Sequence, residues 1–172
     1  YTISSGVVSL LAAPFIDRFD RRKLLLFVYA GFTLGTTACA LSTDAGTLLV
    51  ARVLSGAFGG LSMATVLAIV SDVVPAARRA SAIGIVMTAF SAAAALGVPF
   101  GLELAQRFRW EAPFFLIAAL AVPMWLVAFN GVPPIRGHLE AKPKARLAAF
   151  LELLRDRNAG RALLFMAVLV LG

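Results

Sequence analysis

Long apolar runs separated by short charged interruptions organise the chain: Tyr1 to Ile16, Leu24 to Leu41, Thr47 to Ser71, Ala80 to Leu102 and Ala112 to Val132, with a further run from Ala162 to Gly172. About 20 mainly apolar residues, rising 1.5 Å each in an α-helix, cross a hydrocarbon layer about 30 Å thick. The pattern therefore predicts membrane-spanning helices over 1–16 (slightly short), 24–41, 47–71, 80–102 and 112–132, and the start of another over 162–172. The predicted fold class is an all-α integral membrane bundle.

Residues 133–161 follow a different pattern. Pro133, Pro134 and Pro143 break helical structure, and a basic stretch runs through Arg146, so the segment reads as a linker. Within it Leu147, Phe150, Leu151 and Leu154 recur at helical spacing opposite Arg146, Glu152, Arg155 and Asp156. That spacing fits an amphipathic helix at the membrane interface, or a short solvated helix between bundles; both readings stay open.

Composition removes the soluble alternative. With 60% apolar residues, 15% charged residues and a mean hydropathy of +0.90, a globule of 172 residues could not cover its surface with polar groups. A net charge of +7 would suggest nucleic acid in a soluble protein, but here the basic residues fall between the apolar runs and act as topology signals. No nucleic-acid partner is expected; the lipid bilayer is. Arg18, Arg21, Arg22 and Lys23 occupy one link, Arg78 and Arg79 the next but one, and Arg136, Lys142, Lys144, Arg146, Arg155, Arg157 and Arg161 the linker. Links 17–23, 73–79 and 133–161 are therefore predicted to be cytoplasmic, in a multi-pass protein of the cell's inner membrane. The intervening links contribute Arg107 and Arg109, matched by Glu103 and Glu111, and face outside.

Cys39 is the only cysteine and His138 the only histidine, so a disulfide or a histidine metal cluster within the chain is not expected. H-E-x-x-H and the G-x-x-x-x-G-K-[ST] phosphate loop do not occur. The chain is expected to be no enzyme and to need no cofactor, with any transport driven by a gradient rather than by ATP. It opens with Tyr1 and no basic leader, which predicts a beginning inside a longer protein.

The densest charge lies in Ala13-Pro-Phe-Ile-Asp17-Arg18-Phe-Asp20-Arg21-Arg22-Lys23, where a carboxylate and several guanidinium groups are confined between two spans. There they can pair with one another and with helix ends, and such a network could latch one conformation. For Lys23 topology anchoring is the simpler reading. The stretch resembles the G-x-L-a-D-R-x-G-R-R/K signature of the major facilitator superfamily, with Ala13 and Asp20 standing where that family prefers glycine. Leu48-x-x-x-Arg52-x-x-Ser55-Gly56 is similar to the family's L-x-x-x-R-x-x-q-G pattern, with Ser55 in place of glutamine. An arginine inside a span costs about 2.5 to 3.5 kcal/mol at the centre, so Arg52 should have a partner or snorkel outward. The resemblance implies a role for it in proton or substrate coupling. It also implies that Asp72, in Ser71-Asp72-Val-Val-Pro75-Ala-Ala-Arg78-Arg79, joins Asp17, Arg18, Arg21 and Arg22 in the latch. Gly84, Gly97, Pro99 and Gly101 resemble the glycine and proline pattern of the family's exporters and, with Gly56, are expected to serve helix packing or bending.

What the resemblance implies is a two-half helical transporter of which family helices 2 to 6 and the start of helix 7 are present. It implies proton-coupled efflux of a small organic solute or drug by alternating access, monomeric when whole. A proton-coupled importer or uniporter is the alternative, and a non-transporting membrane assembly protein a further one.

Overall fold

The computed structural model describes residues 1–135 apart from Asp17. Five helices follow one another: α1 (Thr2–Ile16), α2 (Arg21–Ala40), α3 (Ala45–Val73), α4 (Ala76–Arg107) and α5 (Ala112–Gly131). The turns between them are short, so successive helices run in opposite directions. One end of the bundle gathers the basic turns, the other the Ser42 to Asp44 and Phe108 to Glu111 turns. The linker, its amphipathic stretch and the run from Ala162 lie outside the described residues, as does Asp17. α2, α3, α4 and α5 are each long and apolar enough to cross a membrane, and the chain is an all-α membrane bundle. α1, at 15 residues, extends only about 22 Å.

Helix ends differ from the hydropathic limits, for a physical reason. Hydropathy marks where lipid tails begin, whereas a helix stops where its backbone bonding is interrupted. α3 and α4 therefore continue through their charged ends: Arg78 and Arg79, expected in a link, stand in the first turn of α4, and only Val74 and Pro75 separate the two helices. Pro75, the N-cap of α4, marks the break. At 29 and 32 residues these helices are longer than the hydrocarbon layer requires. At its other end α3 is closed by Asp44, whose carboxylate accepts the Gly46 and Thr47 amides at 2.8 and 2.9 Å while Thr47 answers in a capping box.

Two glycine seams bring α1, α2 and α3 together. Gly31 and Gly35 are four apart and share one face of α2. A Cβ on Gly35 would stand 2.9 Å from the Ser55 backbone, and one on Gly31 2.5 Å from the Phe58 ring. On α3, Gly56 and Gly60 repeat that spacing towards α1, where a Cβ on Gly56 would meet the Tyr1 carbonyl oxygen at 2.6 Å. These are small-xxx-small contacts of the kind that replace the hydrophobic drive inside lipid. Val28, Cys39 and Thr65 are almost fully buried. Hydroxyls along the seams are spent on their own helices: Thr33, Thr37, Ser62 and Thr65 donate to carbonyls four residues back.

α4 packs lightly against α3 and α5 and buries none of its residues. Gly84 and Gly97, expected to serve helix packing, have no neighbour within 4 Å of an added Cβ among the described residues, and Gly101 only an ordinary 3.9 Å contact with Pro113. A small residue permits a close approach without causing one. The helix runs unbroken through Pro99, as α5 does through Pro123.

Candidate functional site

The basic end is organised by the first two residues of α2. Asp20 caps this helix, accepting the Arg22 amide at 2.9 Å with φ of −57°, a conformation open to any residue, so the turn does not need the glycine that the family signature prefers there. Arg21 then points across to α3, where its Nε donates to Asp72 Oδ2 at 2.9 Å. The Arg21 side chain is 5% exposed and that of Asp72 24%. Its Nη1 also reaches the Ile16 carbonyl at 3.5 Å, so one guanidinium faces the C-terminal ends of both α1 and α3. Those ends carry the negative pole of the helix dipole, and a carboxylate in the last turn adds to it. The buried cation is what makes Asp72 tolerable at that position.

Arg22 leaves the Asp72 side altogether. Adjacent helical side chains diverge by about 100°, and Arg22 turns to α5, where Nη2 donates to the Phe129 carbonyl at 2.6 Å and the guanidinium lies 5.3 Å from the Phe129 ring centroid. That ring stacks on Trp125 at 5.4 Å, and Trp125 Nε1 donates to the Leu26 carbonyl of α2 at 2.9 Å. Arg22, grouped with Asp72 from sequence, thus closes the last turn of α5 instead. The Arg21 amide, one of the donors a helix start leaves unpaired, bonds the Ile135 carbonyl at 3.3 Å. Arg18 stands exposed in the turn. The structure brings Arg21 and Asp72 together, sends Arg22 to α5, and does not describe Asp17.

Arg52 lies seven residues into α3, about 10 Å from its start. Its guanidinium carbon sits 4.5 Å from the centroid of the Phe114 ring, in the first turn of α5. It makes no ion pair with a carboxylate among the described residues. Trp110 meets Phe114 edge-on at 6.3 Å, and Arg109 and Glu111 pair at 2.9 Å in the adjoining turn. Ser55, standing where the family pattern has glutamine, donates to the Arg52 carbonyl at 3.2 Å. An apolar cavity of about 400 Å³ opens between the helices, lined by Tyr29, Phe32, Gly59, Met63, Phe90 and Met124 among others. Sequence reasoning did not find Phe114 or Phe129 as partners of the cations, because an aromatic inside an apolar run carries no sign of which neighbour its face meets.

The sequence profile of the Major Facilitator Superfamily matches residues 1–172, the whole chain. The chain belongs to the major facilitator superfamily. Among its superfamily relatives, the uncharacterised MFS-type transporter YtbD of Bacillus subtilis is 34% identical over 153 residues, covering 89% of this chain and 37% of that protein. The vacuolar membrane amino acid uptake transporter fnx2 of Schizosaccharomyces pombe is 33% identical over 85% of this chain and 26% of its own length. The multidrug efflux pump LfrA of Mycolicibacterium smegmatis is 34% identical over 70% of this chain and 24% of its own length. The chain therefore spans between 24% and 37% of the length of these superfamily members.

Proposed function

We propose that the whole protein carries a small organic solute across the membrane by alternating access, exporting it in exchange for protons. The observation that carries this reading is the Arg21 to Asp72 pair, a mostly buried ion pair tying the start of α2 to the end of α3. Burying two charges costs several kcal/mol before their attraction is counted, and a static bundle would be as well served by apolar side chains. A pair that forms in one conformation and opens in another has a use for that cost. Arg52 extends the reading to coupling, since its charge lies inside a span without a carboxylate counter-ion among the described residues. The pump name of LfrA agrees with export, while the uptake name of fnx2 favours a second reading, an importer or uniporter built on the same helices.

In this proposal the basic end faces the cytoplasm of a cell whose inner membrane holds a monomeric transporter. Its partners are the solute and the lipid, and the proton gradient takes the place of any cofactor. Flux of candidate solutes in proteoliposomes of the whole protein, with and without a pH gradient, tests it. Solute export that requires an inward proton gradient and is lost in Arg52→Ala supports exchange; flux indifferent to the gradient points to a uniporter. Absence of movement for drugs, amino acids and sugars alike would leave the scaffold reading standing.

A further inference from the structure

We infer that Phe114 is the positioning residue for Arg52, its ring face serving as the partner that a carboxylate would otherwise supply. This rests on the coupling role proposed for Arg52. Three observations meet at this contact. The guanidinium lies 4.5 Å from the ring centroid, well within the range of a cation–π attraction. Trp110 holds the ring edge-on at 6.3 Å, so the face presented to Arg52 is fixed by a second aromatic. And α3 and α5 do not pack closely along their backbones, each packing instead on α2, so the arginine and the ring bridge the gap between them at this level.

The face of α3 that carries Arg52 also carries Gly59, Met63 and Val66, all within about 40° of it around the helix, and these three line the cavity. Arg52 therefore stands in line with the cavity, towards the end opposite the basic turns. The kind of partner matters. A fixed carboxylate would neutralise the arginine permanently, whereas a ring quadrupole holds the guanidinium in place and leaves its charge uncompensated. An arginine kept in this way can answer to a carboxylate, or to an acidic solute, that arrives and leaves during a transport cycle.

The test uses the whole protein in proteoliposomes, with fluorinated phenylalanines incorporated at position 114. Fluorines withdraw electron density from the ring face with little change in its shape, so a merely packing role is insensitive to them. With each solute that Arg52→Ala shows to be coupled, proton-driven flux falls stepwise with fluorine number, and Phe114→Leu loses roughly two- to thirtyfold. Phe114→Trp, which offers a stronger ring face, keeps the flux. A melt in detergent that stays cooperative across the fluorinated series separates this from misfolding. Equal flux at every degree of fluorination overturns the inference while Arg52 stays in its role. If Arg52→Ala itself leaves coupling intact, the proposed function of Arg52 is what fails, and the inference with it.

Discussion

Asp72→Asn keeps the shape of the side chain and removes the charge that Arg21 faces at 2.9 Å. Removing one member of a fully buried pair costs about 3 to 5 kcal/mol, because the other charge stays behind without its counter-ion. Here Asp72 is 24% exposed and the Ile16 carbonyl still accepts from Arg21, so water and the α1 terminus compensate in part. A loss of roughly 1 to 3 kcal/mol follows. If the pair forms in one conformation alone, that loss moves the equilibrium between inward- and outward-open states roughly 5- to 150-fold. Pulsed electron-resonance distances between labels on the two halves of the whole protein read this shift directly. Thermal melts of Asp72→Asn, Arg21→Gln and the double variant supply the pairwise energy. Single losses that add to within about 0.3 to 0.5 kcal/mol in the double variant, together with unchanged distance populations, would refute the latch.

Gly56→Val drives a branched side chain against the Tyr1 carbonyl and should lower stability by roughly 1 to 3 kcal/mol, whereas Gly84→Ala, with open space around it, should be neutral or stabilising by up to about 1 kcal/mol; melts in detergent compare the two. Trp125→Phe keeps most of the ring but loses the donation to the Leu26 carbonyl, for a loss of about 0.5 to 1.5 kcal/mol in the same assay. The Thr47 amide, and after it the Thr47 hydroxyl, hold the Asp44 carboxyl below the usual carboxylate range. Because its folded pKa is depressed, the contribution of this cap is complete above the ordinary carboxylate pKa and fades as pH falls through the folded value. Asp44→Asn should therefore flatten the acid side of the stability profile, as melts from pH 7 downward will register.

The membrane class, the order of the spans and the alternation of basic links could all be read from the sequence, because each depends on local quantities: the length of an apolar run and the charge that ends it. The family signatures could be read as well, and they led to Arg21, Asp72 and Arg52. Helix ends were less legible, since α3 and α4 stop at backbone signals such as Pro75 and the Asp44 box rather than where hydropathy falls. Asp20 shows the same limit from another side: it stands where the family prefers glycine, yet it caps α2 at an ordinary φ.

Partnership was decided by the tertiary structure alone. Arg21 and Arg22 are neighbours of one residue type, and only the packing of α2 between α3 and α5 sends one to a carboxylate and the other to a carbonyl and a ring. Small residues tell the same story, for Gly56 meets a backbone and Gly84 meets nothing among the described residues. Which helix a given face meets depends on residues far away in the chain. By itself the sequence determined what must lie in the membrane and which charges lie near its surfaces; the tertiary structure decided what each charge touches, because contact energies act over a few ångströms and those neighbours come from other helices.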